Sequence, residues 1–200
     1  MQSTILNRVR RRHAHIVFID EAGFMLTPIV RRTWAPRGCT PILRITDPHW
    51  QISVIGAISI SPQHRRFCFY FHLLADNANF RGPSLVAFLA DLRRKIPGPI
   101  TLLWDEIPIH RARIVRHFLH QYRTMVVEEF PLYAPELNPV DYVWSYVKYS
   151  RLANYVPPNL DVLRDRIMAE FRRLQKRPDL LRSFFDHTGL SLTPIEPSEN

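Results

Sequence analysis

Three aspartates stand where rigid elements begin or end along this 200-residue chain. Asp20 closes an apolar run, HIVFID at 15–20, and Asp105 falls at the end of another, PITLLWDE at 99–106. Asp141 opens an amphipathic segment behind the proline-punctuated approach PLYAPELNPVD at 131–141. Carboxylates are charged at neutral pH without help from a neighbour. Three of them brought together, with no cysteine or clustered histidine beside them, suit a hard, oxygen-seeking cation, Mg²⁺ or Mn²⁺. Two such ions about 3.5–4 Å apart can clamp the attacking and leaving oxygens of a phosphodiester. Each acid also has a plainer reading. Asn138 as N-cap, Pro139 at the first helical position and Asp141 at the third make a near capping box. Asp105 precedes a turn into a helix and is equally a turn or cap residue. Asp20 next to Glu21 is harder to dismiss, because a buried strand rarely ends in two acids without a partner.

The elements that must position these acids follow from periodicity and punctuation. HIVFID (15–20), QISVIGAISI (51–60) and RFCFYFHLL (66–74) read as strands, with SPQHRR as a hairpin turn between the last two and an antiparallel meander overall. The stretch AGFMLTPIVRRTWAPRGCTPIL, with its glycines and prolines, reads as irregular. A helix over 82–98 carries Leu85, Phe88, Leu89 and Leu92 as its stripe, Ser84 as a plausible cap and Pro97-Gly98 as its stop. PITLLWDE (99–106) is a fourth strand. A helix over 109–122 places Ile109, Ala112, Val115, Phe118, Leu119 and Tyr122 on one side, and MVVEEF (125–130) is a fifth strand. Helices follow from Pro139 to Tyr149, over 160–176 and over 179–189, the last closed by Gly189. The order predicts an α/β fold with a mixed five-stranded sheet flanked by helices. If the first and fourth strands are neighbours, the three acids gather at one edge of the sheet, where such folds place ligands.

Composition narrows the class. Hydrophobic residues at 46% and charged residues at 22% describe a globular chain. No run approaches the ~18 apolar residues of a membrane span, and the basic start has no signal-type segment behind it, so a cytoplasmic location is expected. The net charge of +9 suggests a polyanionic partner, nucleic acid ahead of a membrane surface. Cys39 and Cys68 have no metal or disulfide spacing and read as reduced, buried or half-buried thiols.

FIDEAGF with RRTWAPRGCTPIL downstream, LLWDEIPIHRARIVRHFL, and FPLYAPELNPVDYVWSYVK resemble the three blocks of the DDE catalytic domain of IS630/Tc1/mariner-superfamily transposases, the IS630-like branch above all. The resemblance covers about residues 15–150. The Tyr-x-Pro-x-Leu-Asn-Pro run before the third acid is its most specific part. It implies an RNase H-like fold, DNA transposition by metal-dependent strand cleavage and strand transfer, and Mg²⁺ or Mn²⁺ as cofactor, two ions at a time. It makes Asp20, Asp105 and Asp141 the catalytic metal ligands and places His110 near them. DNA, as transposon ends and target, becomes the partner, with a homodimer as the active form.

The chain departs from the pattern at three points. The branch commonly has Glu where this chain has Asp141. Its second block commonly reads Asp-Asn, here Asp105-Glu106; the extra carboxylate either binds metal, points away or impairs activity. The family carries a helix-turn-helix DNA-binding region before the first acid, which here is either separately encoded or lost. The resulting division is a basic lead at 1–14, an RNase H-like DDE/DDD catalytic domain at 15–150, C-terminal helices packed on it at 151–190, and a flexible tail at 191–200. Glu21, Glu106 and His110 are accessory candidates, His110 otherwise a turn-bonding residue. Trp34 either stacks on an unpaired base or plugs the core. Arg37, in the same loop, is a DNA-binding candidate, and Arg111, Arg113 and Arg116 either line a DNA track or form a solvated basic face. Arg8, Arg10, Arg11 and Arg12 either touch DNA or belong to a linker. Tyr142 and Trp144 read as packing residues. Two alternatives stay open: a truncated or domesticated, catalytically inactive DNA-binding fragment, and another RNase H-like nuclease.

Overall fold

The computed structural model describes residues 13–39, 42, 50–131 and 134–192. Arg8, Arg10, Arg11 and Arg12, and the tail from residue 193, lie outside them. Five strands, β1 (His15–Met25), β2 (Gln51–Ile60), β3 (Phe67–Leu73), β4 (Ile100–Trp104) and β5 (Met125–Glu129), form one sheet in the order β3-β2-β1-β4-β5. The β1–β2 and β2–β3 pairs are antiparallel, the β1–β4 and β4–β5 pairs parallel. The mixed five-stranded sheet is what the sequence pattern predicts, and β1 and β4 are neighbours, the condition on which the three acids could gather.

Side chains alternate between the two faces of a strand, and β1 uses both. Ile16 and Phe18 enter one core with helices α3 (Pro139–Tyr146), α4 (Leu160–Gln175) and α5 (Pro178–His187). Val17 and Ile19 enter the other with α1 (Gly82–Lys95) and α2 (Arg113–Gln121). Burying both faces accounts for the nearly unbroken apolar run of β2, where only Gln51 is less than fully buried.

Several boundaries differ from the sequence reading. β1 does not end at Asp20 but runs on to Met25, because Ala22 to Met25 pair with Val54 to Gln51. Gly23 is therefore not a breaker. It lies opposite Ser53, where a Cβ would come within 2.9 Å of the Gln51 side chain. β4 ends at Trp104, so Asp105 is the first residue beyond it. α2 begins only at Arg113, preceded by tight turns in which His110, Arg111 and Ala112 N–H groups donate to the carbonyls of Ile107, Pro108 and Ile109. α1 starts one turn earlier than a Ser84 cap requires. Arg81 is the N-cap, and Ser84 Oγ accepts from its N–H (2.9 Å) and donates to its carbonyl (2.8 Å). α3 stops at Tyr146 and widens into a π-type turn over Val147–Arg151, where the Leu152 N–H reaches the Val147 carbonyl at 2.9 Å. Cys39 is exposed rather than buried, and Cys68 is half-buried.

Candidate active site

The strand registers bring the first two acids together. Phe18 pairs with Leu103, and Asp20 and Asp105 each follow two residues later on these neighbouring parallel chains, close enough for the charge of Asp105 to act on Asp20. Alternation also separates Asp20 from Glu21. Asp20 continues the row of Ile16 and Phe18 toward α3, and Glu21 continues that of Val17 and Ile19 toward the α2 side.

On the α3 face the approach to Asp141 resolves into separate tasks. Asn138 caps α3, its side-chain oxygen accepting from the Val140 N–H at 3.1 Å. Its Nδ2 donates to the Ile19 carbonyl at 3.0 Å, just past the last β1–β4 pair. With the cap supplied by Asn138, the Asp141 carboxyl is free to face Asp20, close enough for the two carboxyls to share a proton. One turn on, Trp144 Nε1 donates to Asp20 Oδ2 at 2.7 Å. Trp144 is thus a packing residue, as its type suggests, and also a polar contact of the first acid.

The electrostatics of this face are crowded. Burial pushes Asp20 well above the usual carboxylate range; the charges of Asp141, Glu21 and Asp105 push the same way, against the Trp144 hydrogen bond. Burial likewise raises Asp141; its hydrogen bond with Asp20 opposes this, the charge of Asp105 adds to it and that of Lys148 subtracts. Lys148 is half-buried, its Nζ 5.2 Å from the centre of the Phe24 ring. Burial lowers its pKa while Asp20 and Asp141 pull it up. Lys148 did not emerge from the residue types alone. Its signal is the spacing 141, 144, 148, a single helical stripe.

On the other face His110 is the hub. It is buried and stacked on Trp104, with ring centres 4.2 Å apart. Its Nδ1 lies 2.7 Å from the Asp105 carbonyl and 3.2 Å from Asp105 Oδ1, and its Nε2 3.1 Å from Glu21 Oε1. Burial opposes protonation, but the bonds to Asp105 and Glu21 outweigh it and raise the pKa to about 9. His110 therefore bonds its own turn and also joins β1 to the second acid. Glu106 pairs with Arg111 and lies beside the Glu129 carboxyl. Asp105 itself is half exposed and drawn toward His110. Among the described residues no three His, Cys, Asp or Glu side chains are already gathered closely enough to hold an ion.

The remaining candidates lie outside this cluster. Trp34 is fully exposed, not a core plug, and Arg37, Arg113 and Arg116 are exposed. The chain leading to Trp34 is fastened by Asn154: its Oδ1 accepts from the Arg31 N–H at 2.8 Å, its Nδ2 donates to the Arg31 carbonyl at 3.0 Å, and its own N–H donates to the Ile29 carbonyl at 2.9 Å. Tyr142 is partly buried, 3.4 Å from the His187 carbonyl. No helix of the described residues is long and apolar enough to cross a membrane.

Comparison with solved structures finds the same fold in the mariner Mos1 transposase. The mariner Mos1 paired-end complex with Mg superposes with a TM-score of 0.65 at 18% identity, covering 94% of this chain and 58% of that one. The corresponding complex with Mn gives 0.63 at 18% identity, over 94% and 58%. The isolated catalytic domain of Mos1 gives 0.56 at 18% identity, over 95% and 91%. The chain thus spans about three-fifths of the Mos1 chains in those complexes and nearly all of the isolated catalytic domain. No curated protein sequence matches. The residue pattern of the DDE superfamily endonucleases matches residues 15–164, three-quarters of the sequence, and the chain belongs to that family.

Proposed function

We propose that this chain is the catalytic domain of an IS630-like transposase, which cuts DNA strands and joins the freed 3′-hydroxyl to target DNA with divalent ions held by Asp20, Asp105 and Asp141. The observation that carries the reading is the meeting of Asp20 and Asp141 at a half-buried point beside Asp105, where like charges and burial hold the first two above the usual carboxylate range. Such crowding is costly in a protein on its own and is relieved by a cation. The donors are all carboxylate oxygens, the set that Mg²⁺ and Mn²⁺ favour, so the residues fit the metal. Asp20 and Asp141 would hold it from rigid elements, and Asp105 would join them by turning from His110. When bound, two such ions supply an activated water and stabilise the charge that builds on the phosphate.

The rest of the work falls to the chain. Asn138 and the β1–β4 register set where Asp20 and Asp141 stand. Glu21 and His110 fix the backbone at Asp105 through its carbonyl. Lys148, next to Asp20 and Asp141, would counter the charge of a phosphate brought to the site. The net charge of +9 supports DNA as the partner. Exposed Trp34, Arg37, Arg113 and Arg116 would contact it, with Arg111 already committed to Glu106. The Mos1 paired-end complexes support Mg²⁺ or Mn²⁺ use and transposon-end binding here. Residues 15–150 would form the catalytic unit and 151–190 its buttress. A homodimer would serve two transposon ends, a helix-turn-helix region would recognise them, and the cytoplasm is the compartment in which this DNA is met.

The test is nicking of supercoiled DNA in Mg²⁺ or Mn²⁺, alongside a gel-shift assay of DNA binding. Asp20→Ala, Asp105→Ala and Asp141→Ala should each abolish nicking and leave DNA binding in place. Cleavage retained by any of the three would refute that residue's assignment, and cleavage of an RNA–DNA hybrid in preference to duplex DNA would favour another RNase H-like nuclease.

A further inference from the structure

We propose that Trp144 is a positioning residue that holds Asp20 in its metal-binding orientation, an inference that rests on Asp20 being a metal ligand. Asp20 and Trp144 are 124 residues apart, yet Nε1 lies 2.7 Å from Oδ2. A carboxylate offers two oxygens with several lone pairs, and an indole donates a single proton. One such bond fixes the rotation of the Asp20 carboxyl and leaves Oδ1 to the ion. The donor is also neutral. An arginine or lysine in its place would stabilise the carboxylate by its own charge and so compete with the cation for it.

The ring is held by walls that have no polar function. Phe24, Phe69 and Phe171 pack around it with ring centres at 6.1, 6.3 and 5.8 Å, the first two edge to face. The fourth wall is an absent side chain. Gly56 is the register partner of Asp20 on β2. A Cβ there would lie 2.5 Å from Trp144 Cη2 and 2.9 Å from Cζ2, inside any real contact. A glycine in the middle of a strand loses packing and conformational entropy; here it opens the space in which the indole reaches Asp20. A buried tryptophan usually finds some acceptor for its N–H. Here the acceptor is the first acid, and the helix that carries the donor also carries the third acid one turn earlier. Docking α3 therefore delivers Asp141 and the clamp on Asp20 together.

The test uses calorimetric titration of Mn²⁺ into the wild-type chain, Asp20→Ala, Trp144→Phe, and a chain carrying benzothienylalanine at 144, which keeps the ring's size but has no N–H. Replacement of groups that orient a metal ligand commonly weakens affinity about 10–100-fold. Both Trp144 variants should fall in that range with far-UV circular dichroism unchanged, and Asp20→Ala should lose the binding. A benzothienylalanine chain that binds Mn²⁺ within about twofold of wild type, while Asp20→Ala does not bind, would overturn the clamp and leave the metal reading intact. An Asp20→Ala chain that binds as wild type does, or a wild type that does not bind, would overturn the metal reading and the clamp with it. A second readout needs no metal. In ¹⁵N-tryptophan-labelled protein, the indole signal identified by its loss in Trp144→Phe should shift when Asp20 becomes Ala; an unmoved signal would overturn the hydrogen bond itself.

Discussion

Replacing Asn138 separates two contributions that one side chain makes to the site. Its oxygen caps α3 through the Val140 N–H, and its nitrogen meets the Ile19 carbonyl next to Asp20. Asn138 is buried, so water does not readily take over either bond. Loss of an N-cap costs about 1 kcal/mol. A buried carbonyl left without a donor costs about 1–3 kcal/mol more. Asn138→Ala should therefore destabilise the chain by about 2–4 kcal/mol. At 2–4 °C per kcal/mol for a chain of this size, the melting temperature falls by about 4–16 °C. Asn138→Ser keeps a capping oxygen and loses the second donor, so it should cost about 1–3 kcal/mol and fall between Ala and wild type. Urea unfolding at pH 7 measures all three, with unchanged slopes showing that only stability has moved. A loss below about 0.5 kcal/mol for Ala, or a Ser variant as unstable as Ala, would refute the division of labour.

Two further perturbations probe elements that support the site. Asp91 is less than fully buried. Desolvation would raise its pKa, but hydrogen bonds from Lys95 at 2.6 Å and His72 at 3.3 Å, together with the charges of Lys95 and Arg94, lower it overall. A folded-state pKa below the unfolded value of about 3.9 gives stability that is present above that pH and lost as pH falls through the folded value. Asp91→Asn should accordingly lower the urea midpoint at pH 7, and the gap from wild type should close below about pH 4; a gap that is unchanged at pH 3 would count against the assignment. Glu170 is buried on α4 and accepts from Arg151 Nε and Arg173 Nη1, both at 2.8 Å, with Arg166 at 3.2 Å. Arg151 ends the wide turn that carries Lys148. Because these arginines reach solvent and can be rehydrated, Glu170→Ala should cost about 1–3 kcal/mol in a thermal or urea melt, and a loss under about 0.5 kcal/mol would show that the turn does not depend on this tie.

How far the site could be read from sequence depended on the range of each interaction. β2 is legible from end to end because its isoleucines and valine, bounded by polar turn residues, mark the strand locally despite Gly56 and the serines. The same local reading stopped β1 at Asp20, since Gly23 counts as a breaker until its partner strand is known. That error placed Asp20 and Glu21 at a strand end, whereas the continuing strand sends them to opposite faces and gives each a different partner. His110 stands out by its position near Asp105, but its bond to Glu21 spans 89 residues and has no local signature. Lys148 was legible in principle, being on the stripe of Asp141 and Trp144. A lysine on a helix is ordinarily a solvated charge, and only the depth of α3 in the core changes that. The exposure of Trp34 could not be decided from its residue type, since a tryptophan amid prolines and glycines serves a core or a surface equally well.

The arrangement also explains how an acidic centre persists in a chain of net charge +9. The two faces of β1 divide the acids. Glu21 on one face is matched by His110, so its charge is answered within the protein. On the other face Asp20 and Asp141 meet each other, answered among the described residues by the half-buried Lys148 and by a neutral indole. Asp105 belongs to both sets, its carbonyl and carboxyl engaged by His110 while its charge raises Asp20 and Asp141. A site built for stability alone would have placed an arginine against this pair, as the molecule does three times over at Glu170. The chain thus has the means to neutralise a buried acid and does not apply them at Asp20. The deficit of positive charge there is confined to a few side chains. A cation entering that gap would be bound by the local carboxylates, while the basic surface would act on the phosphates of the proposed DNA partner.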